Sequence, residues 1–439
     1  MDLLKENIKK LYIQYLLPSL GSAIVISVYV LTDAIVIGQG EGVDALAAFN
    51  LLTPLLCILV AVGLLIGVGC SVHLSVQKGQ GNETRANEYF TVSLILTCLL
   101  AVVMTIVYVR FKIPLLRFAG ASDELLPYAL EYMNCYNFFI PMAVFSYYLS
   151  ITARSDKDPN RSLAAVLGGG ITNIVLDILF VFPLGMGMMG AALASGIGVT
   201  LQICISGSHF FSKKNTLHLV KPAGAFKKIR DIIWGGMSGF INELSNGWIV
   251  FILNMQIIRF CGNTELALYG VISNCSILFN ALFTGIGQSM QPLISYHYGA
   301  GKMERIRSLR RMGYGTDLAL GIVFTLSGLL FPAAICSIFV KMTPEITALA
   351  STIMPVYFLA FFPMGISVLS TYYLQSVLKG SRSFCISFLR NIALSTLLVC
   401  LLPQLFGGAF LWAAIPLTEA ATAVVSVIFL VSSTRSKEQ

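Results

Sequence analysis

The chain has 439 residues, of which 56% are hydrophobic and only 11% are charged. Soluble domains carry about 25% charged residues, so 29 basic and 21 acidic side chains cannot cover the surfaces that a soluble chain of this length would expose. The composition excludes an ordinary cytosolic enzyme, a disordered chain and a secreted disulfide scaffold. It favours an all-α membrane protein that crosses the bilayer many times.

Twelve stretches in chain order are long and apolar enough to span a bilayer, which takes about 20 mostly apolar residues. We predict spans at residues 11–38, 46–76, 89–110, 125–153, 161–183, 188–211, 231–258, 265–297, 312–340, 346–378, 384–407 and 409–431. Residues 1–10 are polar and no cleavage site follows, so we expect the first span to be retained rather than removed as a signal peptide.

The basic residues orient these spans. With the N-terminus inside, 23 of the 29 Lys and Arg residues fall on the inner side, five fall on the outer side, and Arg390 lies within a span. Basic residues accumulate in cytoplasmic loops, so we expect a multi-pass protein of the plasma membrane with both termini cytoplasmic. The net charge of +8 therefore requires no nucleic-acid partner.

An internal repeat divides the chain. A shift of about 220 residues aligns Gly42 with Gly262, Ile66-Gly67 with Ile286-Gly287, and further blocks in the same order. Six spans per repeat give two parallel six-helix lobes, related by a pseudo-twofold axis along the membrane normal, which is a transporter architecture. We predict lobes at 1–219 and 220–439, joined by a basic cytoplasmic linker at 212–230.

Ionisable residues deep in the bilayer cost at least about 2.5–3.5 kcal/mol each and need an explanation. Asp33 and Asp177 each lie about 8–9 Å below the outer end of a span, at 1.5 Å per residue. Asn173 is one helical turn before Asp177, and Ser195 reaches a similar depth in the sixth span. We predict that these four residues meet in one polar chamber, where a proton or Na⁺ relieves the repulsion between two carboxylates.

Other polar or unusual residues within the spans have two interpretations each. Glu243 either binds an ion or substrate or forms a structural pair with Arg390. Glu419 has the same two interpretations, as an ion or substrate residue or as a structural residue. Pro18 is either a hinge of the first span or an ordinary kink. We interpret Asp317 and Glu131 as belonging to helix ends.

Motifs for enzymatic chemistry are absent from the sequence. The four histidines have no metal-ligand spacing, and there is no phosphate-binding loop, nucleophile elbow or dinucleotide fingerprint. The ten cysteines show no CxxC, and most lie in apolar runs, where we interpret them as small hydrophobic residues. We expect neither an enzyme nor a metal centre, and no cofactor beyond a coupling ion.

The order of short motifs resembles the MATE (multidrug and toxic compound extrusion) family, nearest to its DinF-like and MepA-like bacterial members. The motifs run through nearly the whole chain and include Thr32–Gly38, Gly79-Gln80-Gly81, Asn173–Asp177, Gly190–Ser195, Gln291–Ser295 and Gly299-Ala300-Gly301.

The resemblance implies a twelve-helix antiporter that exports small amphipathic or cationic compounds by alternating access in exchange for H⁺ or Na⁺. It also implies that Asp33, Asn173 and Asp177 bind the coupling ion, with Ser195 where relatives often have Thr. Ser150 stands where some members have Asn, Pro18 matches a proline of the first helix, and Glu243 resembles an acidic residue of some members. Residues 363–378 contain no acid where some Na⁺-coupled members have Asp.

Three alternatives stay open. A lipid or lipid-linked oligosaccharide flippase would share the two-lobe plan but usually carries more basic residues in its cavity. A membrane transferase needs a His/Asp or metal constellation, and a channel needs a ring of equivalent residues. We expect a monomer surrounded by lipid.

Overall fold

A computed structural model describes residues 3–340 and 342–435. Every regular element within these residues is a helix, and none is a strand. The all-α prediction is therefore confirmed. Lys341 and Lys437, which contribute to the predicted charge distribution, lie outside the described residues.

From residue 3 onwards, the first half of the chain forms eight α-helices. They are α1 (Ile8–Gly40), α2 (Val43–Gly79), α3 (Glu83–Arg110), α4 (Lys112–Phe118), α5 (Leu126–Tyr136), α6 (Ile140–Ser155), α7 (Pro159–Val181) and α8 (Gly187–Gly207). Short 3₁₀ turns at Asn137–Phe139 and Ser208–Phe211 follow α5 and α8.

The described residues of the second half form nine α-helices. They are α9 (Ala225–Phe260), α10 (Asn263–Gly299), α11 (Met303–Leu330), α12 (Pro332–Phe339), α13 (Pro344–Phe358), α14 (Phe361–Ser376), α15 (Gly380–Phe388), α16 (Leu394–Phe406) and α17 (Ala414–Arg435). A π-helical turn at Leu389–Ala393, in which the hydrogen bonds span five residues, joins α15 to α16. A 3₁₀ segment at Gly408–Ala413 precedes α17.

Each of the twelve predicted spans coincides with one of these helices or with consecutive helices. Within the described chain, ten such regions are apolar and long enough to cross a membrane on composition alone. The two others are 126–155, which is interrupted at Asn137–Phe139, and α9, whose first turns carry several charges.

The predicted bounds of the ninth span, 312–340, are wrong. The helix α11 begins nine residues earlier, at Met303, and ends at Leu330. Pro332 favours a break here because it has no N–H donor and its ring clashes with the preceding turn, and the separate helix α12 begins at this residue. The basic start of α11 hid its length, because a charged helical extension outside the bilayer has no hydropathy signal.

Contacts divide the chain into two compact units. The first contains Met1–Leu244 and Ser295–Lys302, and the second contains Ser245–Ile294 and Met303–Gln439. Each unit has its own buried apolar core. The lobe boundary at 219/220 stays a prediction.

Glycines allow the ends of α2 and α10 to touch backbone to backbone within the first unit. A Cβ atom on Gly79 would lie 2.0 Å from the Tyr296 carbonyl oxygen, and one on Gly299 would lie 2.0 Å from the Val76 carbonyl oxygen. No side chain fits at either position. These two glycines are counterparts in the internal repeat, so the repeat has preserved a steric requirement.

A charged cluster follows α6 and binds the segment after α8. The Asp156 carboxylate accepts hydrogen bonds from the Lys78 ammonium and from the Thr216 N–H (2.9 Å), and it hydrogen-bonds His209 Nε2 at 2.8 Å. Burial raises the pKa of Asp156, but the hydrogen bond to His209 and the Lys78 charge outweigh it and bring the pKa down to about 2. The carboxylate is therefore ionised at neutral pH.

Asp158 extends this Asp156 cluster. It accepts hydrogen bonds from Lys214 Nζ and Arg161 Nε, both at 3.0 Å. Burial raises the pKa of Asp158, and the partners, Lys214 first among them, lower it below its ordinary value.

The predicted linker is bound to the first unit along much of its length. The His218 N–H donates to Asn87 Oδ1 (3.0 Å), and the Val220 N–H donates to Thr91 Oγ1 (3.1 Å). Backbone donors that would otherwise face solvent thus have fixed partners on α3.

We predict that Asp156→Asn destabilises the protein by about 3–5 kcal/mol, because it leaves the buried Lys78 ammonium without its counter-charge. The unfolding temperature of the purified protein in detergent measures the loss. Glu124→Gln, at an exposed position, is the control and should leave the unfolding temperature unchanged.

The difference between wild type and Asp156→Asn should depend on pH. A carboxyl with a depressed folded pKa stabilises above its unfolded pKa of about 3.9, and this contribution is lost as the pH falls towards about 2. The gap in unfolding temperature should narrow over that window. A gap that stays constant down to the lowest pH would contradict the ionised assignment.

Candidate functional site

The site is built on three helices of the first unit. Asp33 is buried within α1, and Asn173 and Asp177 lie one turn apart on the buried face of α7. Ser195 lies on α8. Gly169 of α7 and Gly198 of α8 bring those helices together, since a Cβ on either would meet the other's carbonyl oxygen within 2.8 Å.

The structure brings all four predicted residues together. Asn173 Nδ2 donates to Ser195 Oγ (3.2 Å) and to Asp177 Oδ2 (3.4 Å). The Asp33 carboxyl lies next to Asp177, Asn173 and Ser195. We call these four residues the Asp33 site.

Three buried oxygens of the Asp33 site have no hydrogen-bond partner. They are Asp33 Oδ1, Asn173 Oδ1 and Asp177 Oδ1. Within the described part of the chain, no ion pair includes either aspartate. Two adjacent carboxyl groups without a counter-ion can share a proton, and the spare oxygens with the Ser195 hydroxyl are hard ligands of the kind that an alkali cation prefers.

Tyrosines lie beside the Asp33 site, and none of them is predicted from the sequence. Tyr132 lies near Ser195, and the Tyr132 and Tyr136 rings stack with their centroids 5.6 Å apart. Tyr29 is one turn before Asp33 and lies near Tyr147. The available signal was spacing, because Tyr29 shares a helix face with Asp33.

Glu243 lies at a second position, on α9. Its carboxyl lies near the Cys57 thiol and near the hydroxyls of Tyr29 and Tyr147. It is not among the partners of Asp33. Tyr29 is thus the residue that both acidic positions have in common.

A family model described as MatE matches residues 18–179 and again 240–401, so it covers well over half of the chain. The chain belongs to the MATE family. The second match begins 222 residues after the first, in agreement with the internal repeat. Members are membrane transporters rather than enzymes, as the sequence analysis predicts.

Individual relatives cover almost the whole chain. The multidrug export protein MepA of Staphylococcus haemolyticus is 24% identical over 99% of this chain and 95% of its own length. A protein of Shewanella oneidensis named FAD transporter is 23% identical over 95% of this chain and 93% of its own. A solved outward-facing multidrug resistance MATE transporter superposes with a TM-score of 0.92 at 20% identity, covering 100% of this chain and 98% of that one.

The ion pair in the second unit of this MATE protein differs from the pair that we considered from sequence. Arg390, in the π-helical turn, donates its Nε to both carboxylate oxygens of Glu419, at 2.8 and 2.9 Å. Its Nη2 also reaches Asn280 Oδ1 at 3.5 Å. Arg390 is therefore the partner of Glu419, and the alternative pairing with Glu243 is wrong.

Two predicted residues lie apart from the Asp33 site. The Ser150 hydroxyl hydrogen-bonds the Ser162 hydroxyl at 2.6 Å, at the end of α6 that leads to the Asp156 cluster. Pro18 lies inside α1, which continues through it from Ile8 to Gly40. The Pro18 carbonyl accepts a hydrogen bond from Ser22 Oγ (2.9 Å).

Of the two acidic residues that we assigned to helix ends, only Glu131 contacts one, and it does so from the middle of its own helix, α5. Its Oε1 accepts from the Met189 N–H (3.1 Å) in the first turn of α8, where a negative charge is favourable. Asp317 lies far from either end of its helix. It lies fourteen residues into α11, is 2% exposed, and has no hydrogen-bond partner for either carboxylate oxygen.

We predict that Glu419→Gln destabilises the transporter by about 3–5 kcal/mol, because the buried Arg390 guanidinium loses its counter-charge. Thermal unfolding in detergent measures the loss. Replacing both partners, as Arg390→Met with Glu419→Leu, should recover most of it. Equal stability of Glu419→Gln and wild type would show that the pair contributes nothing.

Proposed function

We propose that this MATE transporter is a secondary active multidrug efflux antiporter. It exports small amphipathic or cationic compounds in exchange for H⁺ or Na⁺ by alternating access. The coupling ion binds at the Asp33 site, and no other cofactor takes part.

The observation that carries the proposal is the sharing of one buried site by Asp33 and Asp177. Their spare oxygens are unpartnered, and no basic side chain among the described residues pairs with them. Such a site is costly when empty and ionised, so it is stabilised by whichever cation it binds. Binding and release of that cation can therefore shift a conformational equilibrium.

The substrate class rests on the relatives. Several are named multidrug export protein MepA, and one is named FAD transporter. A flavin dinucleotide carries phosphates, which arginine recognises well. The Arg390 guanidinium is already bound by Glu419, which disfavours an anionic flippase-type cargo and favours a cationic or neutral one. FAD belongs in the transport assay as the competing substrate.

The same proposal includes the topology. The chain acts as a monomer in the plasma membrane, with both termini cytoplasmic and lobes at 1–219 and 220–439. Support comes from the 23 basic residues on one predicted side. Glu243, with its Cys57 and Tyr29 neighbours, is a candidate substrate position, and Pro18 is a candidate hinge of α1.

Asp33→Asn should abolish drug resistance in a sensitive bacterial host, because an amide cannot take up a proton or supply the negative charge that a cation requires. Growth inhibition by a cationic dye and a quaternary ammonium biocide measures resistance. Asp44→Asn, which removes an exposed carboxylate from α2, should retain it.

Protein abundance in the membrane must be equal in both variants, as judged by immunoblot. Undiminished resistance in Asp33→Asn would rule out coupling through this site.

Reconstitution identifies the ion. Purified transporter in proteoliposomes should accumulate a fluorescent cation against its gradient when either a pH gradient or a Na⁺ gradient is imposed separately. The effective gradient names the coupling ion, and Asp33→Asn should reduce the rate to that of empty liposomes. A failure of both gradients would refute secondary antiport by this protein.

A further inference from the structure

Asp317 lies on the tightly packed face of α11. That face repeats at one-turn intervals as Gly313, Asp317 and Gly321, all of which are buried. Gly365 of α14 faces Asp317 directly, since a Cβ at Gly365 would lie 3.0 Å from the Asp317 Cβ. The Asp317 side chain therefore lies in the α11–α14 seam, which is the packed interface between these two helices, and not on the outer surface of α11.

Among the residues that the structure describes, Asp317 has no basic partner. Phe283 of α10 meets Gly365 at the same point, within 3.0 Å of its missing Cβ. Residues 361–376 of α14 contain no acid or base apart from tyrosine hydroxyls. On α11 itself, Tyr314 donates to or accepts from Ser370 (2.8 Å), and Arg310 lies two turns away over the ring of Tyr373.

A proton fits this position better than a metal cation does. Hard cations in proteins are held by several oxygens at once. Asp317 is a single carboxyl without a hydrogen-bond partner, it packs against Gly365, and the hydroxyls of Tyr314 and Ser370 in the same two helices bind each other. An ionised carboxylate with both oxygens unpartnered is among the costliest buried groups, and a proton removes the charge without requiring further ligands.

We propose that Asp317 is a proton-binding site in the second unit, separate from the Asp33 site. The group holds its proton in the arrangement seen here. It releases the proton when the α11–α14 seam opens enough for water to reach the carboxyl. This proposal goes beyond coupling at Asp33 and does not depend on which ion binds there.

Infrared difference spectroscopy between acidic and alkaline buffers tests the proposal directly. The sample is the full-length protein in lipid, carrying Asp33→Asn and Asp177→Asn so that those carboxyls are silent. We expect a protonated-carboxyl C=O band that disappears at alkaline pH and is missing from the same protein with Asp317→Asn added. Asp317→Glu should retain a titrating band at a shifted frequency.

Asp44→Asn in the same background is the matched control, and it should leave the carboxyl C=O region unchanged. Spectra that do not differ between the proteins with and without Asp317→Asn would overturn the proposal, as would a band that never responds to pH. Because this readout requires no transport, its failure leaves the Asp33 experiment standing, and the reverse also holds. If Asp317→Asn does not fold, a titrating band that does not move in Asp317→Glu counts equally against the proposal.

Discussion

A charge inside a bilayer has no water to stabilise it, and this constraint governs every acidic residue within the spans. Three of these acidic residues have different surroundings. Glu419 is neutralised by Arg390. Asp33 shares a site with Asp177 and has polar neighbours but no base. Asp317 has neither. The first arrangement holds a fixed charge in place, whereas the other two are suited to a group whose charge changes.

Much of the fold and the main site could be predicted from sequence because both follow short-range rules. Apolar length defines spans, and the helical repeat places Asn173 and Asp177 on one face. Depth along the helix then brings Asp33 and Ser195 to the same level. Chain order and the thickness of the bilayer determine both features, and neither depends on which helices touch.

The predictions that were wrong or missing concern residues whose neighbours are set by tertiary packing. The partner of Arg390 depends on which helices are neighbours in the second unit, and charge alone could not separate Glu419 from Glu243. Asp317 was assigned to a helix end because the basic turns of α11 lie outside any apolar window. The tyrosines around the Asp33 site were hidden for a related reason, since aromatic residues are common throughout such helices.

The segment after α8 shows how far appearance in sequence can differ from accessibility. Residues 212–230 hold six Lys and Arg residues and look like a site that trypsin would cut readily. Proteases must draw several residues of extended backbone into their cleft, and here the N–H groups of Thr216, His218 and Val220 are already bound. Cleavage after Lys213 or Lys214 therefore requires the segment to detach from Asp156 and from α3 first, which would make the rate of that cleavage a measure of local opening at this end of the first unit.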